Sequence, residues 1–180
     1  MDLDLLDLYE RASEWTATKA EGAARRLDAA TPCDGWDVRT LMNHMLDTQR
    51  YFVSAARGES ASPPASPPPT DLVGDDPADD FRRARNDTIE TFAAPGVIER
   101  TGPSLGIAFS DQLLHGWDLA TATNQDATMP AGLPEAAYEM IHGRFTDDQR
   151  KGVFKPEVAL SRAASAQDRL LAYAGRDPSS

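Results

Sequence analysis

The sequence predicts an all-α domain of four main helices with a short C-terminal helical extension. Two observations carry that prediction. Apolar residues recur at three- and four-residue steps through four long segments. Each segment is bounded by Asp, Pro or Gly at positions where helices start or stop. No repeat of 20–50 residues is visible, so a stacked-repeat architecture is not expected.

The first segment, about Leu3 to Leu27, places Leu5, Leu6, Tyr9, Ala12, Trp15, Ala20, Ala23 and Ala24 on a helical stripe. Asp2 or Asp4 can cap its start, and Arg25 and Arg26 suit the negative end of its dipole. The string TPCDGW, Thr31 to Trp36, reads as a turn because Pro32 and Gly35 break the helix, and Asp34 or Asp37 can start the next one. A second helix runs from about Asp37 to Arg57 with Val38, Leu41, Met42, Met45 and Phe52 as its apolar stripe, and Gly58 ends it. From Glu59 to Gly74 the chain holds five prolines and has no periodicity, which predicts an extended surface loop. Asp75, Asp76 and Pro77 open a third helix to about Ala94, with Phe81, Ala84, Thr88, Ile89 and Phe92 inward. Pro95 and Gly96 stop it, and Ser104 can cap a fourth helix to about Thr123. Shorter helices are expected from Pro134 to about Arg144 and from Ala166 to Ala174, with a little extended structure allowed between them.

The chain has 180 residues, enough for one domain, 1–180, with a proper core and short for two. A chain of this size buries roughly 70% of the surface that its unfolded form exposes, so neither disulfides nor a structural metal are needed for folding. With 18 basic and 29 acidic side chains the formal net charge is −11, a field that repels phosphate backbones and anionic lipid. Nucleic acid and membrane are therefore not expected partners. The single cysteine excludes an intramolecular disulfide, no apolar run reaches the ~20 residues of a spanning helix, and the acidic start lacks a basic leader pattern. A cytoplasmic protein is the expectation.

The fourth helix carries the chemistry. At ~100° per residue, Asp111, His115 and Asp118 fall within an arc of about 60°, and Asp111 and His115 are one turn apart. Ile107, Leu114, Leu119 and Ala122 border that face, while Phe109, Leu113, Trp117 and Ala120 cover the other. A helix apolar on nearly all sides is buried. Its carboxylates and imidazole therefore need partners or a metal, because an unpaired buried charge is costly. Spacing alone leaves three readings open: a metal site, a buried Asp111–His115 ion pair, or a helix turned to face water. The helix also demands cover on two sides, which makes a homodimer plausible. His44 lies at the edge of the second helix's stripe, and His142 reads as surface or outlying.

The strings TPCDGWDVRTLMNH (Thr31 to His44) and DQLLHGWDLATATN (Asp111 to Asn124) resemble the two signature segments of the DinB-like superfamily. The nearer resemblance is to its actinobacterial metal-binding branch, related to the mycothiol-dependent maleylpyruvate isomerase metal-binding domain. The ending SAQDRLLAYAGRDP (Ser165 to Pro178) resembles that branch as well. The resemblance implies an up-and-down four-helix bundle and a metal triad of His44, Asp111 and His115, with Asp111 where the isomerase has Glu. It implies a divalent metal, zinc or nickel, and a low-molecular-weight thiol of the mycothiol type acting on an electrophilic substrate. The expected chemistry is S-transfer or thiol-assisted isomerisation. The alternative is a non-catalytic metal-binding bundle that serves as a sensor or interaction module.

Other residues of these strings carry smaller expectations. Trp36 and Trp117 are read as packing anchors. Asp118 can orient a ligand histidine or cap a neighbouring helix. Asn43 can line a pocket, Arg39 is expected at the surface, and Cys33 is expected to be a small buried turn residue in preference to a nucleophile. An arginine at the mouth should hold an acidic group, but the sequence does not say which one, and the Pro-rich loop can form a partial lid.

Overall fold

In the computed structural model, which describes residues 4–146, 148, 150 and 153–179, the secondary structure is helical. No strand occurs among the described residues beyond an isolated pairing of Ala30 with Asp37. The first helix, α1 (Leu5–Ala23), is capped by Asp4, whose Oδ1 accepts from the backbone N–H of Leu6 and Asp7 at 3.0 and 3.3 Å. Asp2 lies outside the described residues. This helix stops short of the expected Leu27, and Arg26 instead donates to the carbonyl of Thr123 at 3.0 Å. Asp37 caps α2 (Val38–Arg57), accepting from Thr40 N at 2.8 Å, and Gly58 closes it with a φ of 76°. Asp76 caps α3 (Pro77–Ala93) with Pro77 in the first turn.

A five-residue helix, α4 (Val97–Thr101), follows where only a break was expected. It leads through Gly102 and Pro103 into α5 (Ser104–Ala122). Ser104 does not cap α5. It lies inside the first turn, and its hydroxyl donates back to Thr101 O at 2.9 Å, because Pro103 occupies the capping position. The extension consists of α6 (Leu133–Ile141) and α7 (Ala166–Tyr173), the latter opened by a reciprocal capping box between Ser165 and Asp168.

α1 packs against α3 and α5, and α2 packs against the same two helices, which closes a four-helix ring. The all-α bundle expected from the sequence is therefore present, but simple alternation of direction fails at one step. Asn43, near the start of α2, accepts the backbone N–H of Leu72 and Val73 at 2.8 and 3.0 Å. The Pro-rich segment thus returns the chain to the N-terminal end of α2, and α3 runs parallel to α2. Arg57 at the far end accordingly meets Asp87 and Thr91 near the end of α3. α5 runs parallel to α1, with Leu5 near Gly106 and Gly22 near Gln125. The order of directions is up, down, down, up.

The approach of α1 to α5 fixes the depth of the site. A Cβ on Gly116 would lie 2.5 Å from Thr16 Oγ1 and 2.6 Å from the Trp15 ring, so only glycine fits there. That closeness lets Thr16 donate to the Gln112 carbonyl of α5 at 2.9 Å. α5 is buried along nearly its whole length, as its composition requires. The two-sided cover that suggested a homodimer comes from α1, α2 and α6 of the same chain.

Candidate functional site

The TPCDGW segment folds as a closed turn. Thr31 N–H donates to Trp36 O and Trp36 N–H donates to Cys33 O, both at 3.0 Å, and Gly35 takes a φ of 74° that favours glycine. This turn delivers Cys33 and Trp36 over the end of α2 and sets Asp37 as its cap. Seven residues after Asp37, two turns into α2, His44 faces α5.

The structure brings the three sequence-predicted site residues together. His44 Nε2 lies 3.9 Å from Asp111 Oδ1, and His115 Nε2 lies 3.4 Å from the same oxygen. The two imidazoles meet edge to face, 5.0 Å between ring centres. His44 Nδ1 and Asp111 Oδ2 are buried without a hydrogen-bond partner among the described residues. Candidate ligand atoms of His44, Asp111 and His115 all lie within 4.8 Å of one another.

Asp118, one turn further along α5, is bound quite differently. Arg176 grips it with two hydrogen bonds, Nε to Oδ1 at 2.9 Å and Nη2 to Oδ2 at 2.7 Å. His115 Nδ1 lies 2.9 Å from Asp118 Oδ2, and Cys33 Sγ lies 3.5 Å from it. Cys33, His115 and Asp118 also lie close enough to form a ligand group. Both oxygens of Asp118 are already engaged, however, which leaves this group the weaker donor set. With Nδ1 of His115 held by a carboxylate, its Nε2 is the nitrogen that faces Asp111 and His44, the arrangement that orients metal-binding histidines.

The electrostatics follow from this asymmetry. Burial pushes the Asp111 carboxyl up, but the charge and hydrogen bond of His115, then His44 and Arg176, override it and hold it below the usual range. Burial likewise opposes charge on His115, and Asp111, Asp118 and Cys33 outweigh it, so His115 sits well above an ordinary histidine. His44 goes the other way, lowered first by burial and then by the neighbouring charge of His115. Against its own burial, Asp118 is held low chiefly by the Arg176 guanidinium. The pair of histidines is thus split, one favouring the neutral form and one holding a proton between two carboxylates.

A cavity of about 740 Å³ opens onto His44, Asp111 and His115. Trp36 forms part of its wall, 5.1 Å from the His44 ring, so its role extends beyond packing, whereas Trp117 is buried in the core as expected. Cys33 is partly exposed and lines the cavity, contrary to the buried turn residue expected, because the turn points its side chain toward α5. Asn43 does not line the cavity. Its side chain is consumed by Leu72, Val73 and the Arg39 carbonyl, and Arg39 itself is exposed. Pro64, Ala65 and Ser66 of the Pro-rich segment form part of the rim, held by Ala65 N–H donating to Asp47 at 2.9 Å. His142 is exposed and stacks on Tyr138, away from this cluster.

Three contributors were missed in the sequence. Arg176 arrives from a turn after α7, behind Gly175 with its φ of 75°, and touches Asp118 across 58 residues of chain. Lys155 crosses to the turn, donating to Pro32 O at 2.9 Å and Asp34 Oδ1 at 2.7 Å. Thr48, one turn beyond His44, lines the same cavity. Thr48 had a readable signal in its i+4 spacing from His44 on a helix already assigned, and Arg176 lies in the family-like ending Ser165 to Pro178, which marks the segment but not the partner it meets.

Comparison with known proteins matches residues 9–120 to the mycothiol maleylpyruvate isomerase N-terminal domain. That span contains Cys33, His44, Asp111, His115 and Asp118 but ends before Arg176. Two relatives are uncharacterized proteins of Mycobacterium tuberculosis, one from strain CDC 1551 / Oshkosh and one from strain ATCC 25618 / H37Rv. Each is 30% identical to this chain over 192 aligned positions, covering 97% of this chain and 98% of the relative. No solved structure matches the chain. No helix of the described residues is long and apolar enough to cross a membrane.

Proposed function

We propose that this chain, which belongs to the family of the mycothiol maleylpyruvate isomerase N-terminal domain, holds a divalent metal ion on His44, Asp111 and His115. We propose further that it acts with a low-molecular-weight thiol of the mycothiol type, in S-transfer or thiol-assisted isomerisation. The observation that carries this reading is the convergence of both Nε2 atoms on one Asp111 oxygen, with the second oxygen buried and unpartnered. Buried polar groups are ordinarily satisfied, and an acceptor left open beside two imidazoles suits a cation. Two histidines and one carboxylate are the donor set of an open, catalytic site and suit zinc or nickel. Such an ion supplies the positive charge that keeps a thiol sulfur deprotonated at neutral pH.

The chain's own residues do the rest. Asp118, fixed by Arg176, holds the His115 ring by Nδ1 and so presents Nε2 to the site. Burial keeps His44 neutral and able to donate its lone pair. Trp36, Phe52 and Leu114 line the cavity onto which these side chains face and give it apolar walls. The alternative, a metal that only fixes helix packing, calls for a sealed ion. The cavity opening onto these side chains favours the catalytic reading.

Metal content by inductively coupled plasma mass spectrometry, on protein purified without tag or chelator, tests the proposal. About one zinc or nickel per chain is expected, lost in His44→Ala and His115→Ala while circular dichroism stays helical. Metal retained by both variants, or none taken up by the wild type on reconstitution, removes the triad.

A further inference from the structure

The cavity has two unlike limbs. Toward the start of α2 its lining is charged, with Asp34 in the turn, Lys155 bound to Asp34, and Arg176 bound to Asp118. His44, Asp111 and His115 stand next to that end. From there α2 and α5, which run antiparallel, carry the walls on in one shared direction. The second limb passes Thr48, Tyr51 and Phe52 on α2, and Ser110 and Ile107 on α5. Among the described residues no Asp, Glu, Lys or Arg lines it beyond Asp111.

The small hydroxyls of this limb are not offered to a ligand. Ser110 donates to the Gly106 carbonyl at 3.0 Å, and the Thr48 oxygen is buried beneath the wall. Water in such a limb finds few partners, so an apolar group that displaces it gains from its own desolvation. Two of the three large hydrophobic side chains exposed among the described residues, Ile107 at 41% and Val153 at 58%, line this cavity, and Leu160 lies elsewhere. Uncovered apolar side chains gathered at one cavity mark a surface that a ligand covers. The seven steps from His44 to Tyr51, at about 1.5 Å each, make roughly 10 Å of wall, the length of an extended chain of about eight carbons.

We propose that this limb takes the apolar body of the electrophile, a hydrocarbon portion of about eight carbons, while the polar end of the same molecule lies at His44, Asp111 and His115. The nature of that polar end rests on the proposed function, whereas the length and apolarity of the body rest on the walls. Tyr51 and Ile107, at the far end of the limb, set the length accepted. The substrate class is therefore amphipathic: one metal-seeking head and one medium-length apolar tail.

A series of straight-chain hydroxamates, from acetohydroxamate to dodecanohydroxamate, tests it, because the head stays the same and ligates zinc while the body lengthens. Dissociation constants for the full chain are measured by NMR titration, with zinc and after chelation. In both forms affinity is expected to rise about threefold to fourfold per added methylene up to roughly eight carbons, and then to level off. Ile107→Asn should weaken octanohydroxamate several-fold and leave acetohydroxamate unchanged, while Leu160→Asn, off the cavity, should alter neither. Affinity independent of chain length, a length effect that Ile107→Asn leaves intact, continued growth to dodecanohydroxamate, or no binding of any member overturns the proposal. Zinc-dependent tightening of acetohydroxamate without a length effect removes the apolar limb alone. A length effect with no zinc-dependent tightening removes the metal triad alone.

Discussion

Asp111 and Asp118 sit on the same helix, on either side of His115, and the protein treats them in opposite ways. Asp118 has hydrogen bonds at 2.7–2.9 Å from Arg176, to both of its oxygens, and a contact at 2.9 Å with His115. Asp111 has two imidazole nitrogens at 3.4 and 3.9 Å from one oxygen and, among the described residues, no hydrogen-bond partner on the other. A saturated carboxylate is scaffold: its energy comes from staying where it is. A buried carboxylate with open capacity is stable only because two histidines tolerate it, and that open capacity is what a ligand can use. Two residues of identical chemistry are thus separated into support and site by the neighbours that the fold supplies.

The largest effect should appear when the supported side is broken. Arg176→Leu strips Asp118 of its guanidinium and leaves it, among the described residues, only His115 and the Cys33 thiol in the interior, and removing one partner of a buried charge pair typically costs about 3–5 kcal/mol. Asp111→Ala should cost far less in metal-free protein, because it removes a group whose hydrogen-bonding capacity is half unused. Urea unfolding of the chelated variants checks this ordering, and equal losses would erase the distinction between the two carboxylates.

Metal retention should show the reverse order. Asp111→Ala should abolish stoichiometric metal, whereas Asp118→Asn should weaken it about 10–100-fold by releasing the His115 ring. Competition against a fluorescent chelator reads both, and a weaker effect for Asp111 would reverse the assignment of roles.

The pH dependence follows from the split histidines. Raised above its unfolded value, His115 contributes stability that is fully present below about 6.5 and lost as pH climbs through its higher folded value. Asp118, which is depressed, contributes stability present above about 3.9 and lost as pH falls through its folded value. Metal-free protein should therefore be less stable at pH 9 than at pH 6.5. A divalent ion, which needs His115 neutral, should bind more tightly as pH rises and release a proton on binding. Denaturation midpoints across pH 3–9, with and without zinc, measure both limbs, and metal-free stability that rises above pH 7 would contradict the placement of the His115 proton.

The smallest effect belongs to the third neighbour of Asp118. Cys33 touches it at 3.5 Å, a weak thiol contact beside two strong guanidinium bonds. Cys33→Ser should change stability by less than about 1 kcal/mol and leave metal content unaltered. A larger loss in thermal unfolding would place Cys33 in the scaffold.

Much of the architecture was legible because its signals are local. The caps Asp4, Asp37 and Asp76, the stop at Gly58 and the stripe Val38–Leu41–Met42–Met45 are each decided within one or two turns of chain. The Asp111–His115 spacing was legible for the same reason, and His44 joined it through resemblance to a family motif. α4 escaped because five residues carry too little periodicity to read, and Ser104 was misread because Pro103 took the capping position. Asn43 was misplaced because its partners are backbone groups 29 and 30 residues away, which no helical pattern announces.

The sequence by itself determined that the chain would be helical, that α5 would be buried on nearly all sides, and that a histidine and a carboxylate would share one face of it. The tertiary structure alone decided which carboxylate would be left open. That choice depends on Arg176 reaching Asp118 from 58 residues away and on α2 bringing His44, and no hydrogen-bond donor to the second oxygen, beside Asp111 among the described residues. A helix fixes the angle between its own side chains, but the charge state and free valence of each are set by the groups that other elements bring within hydrogen-bonding distance.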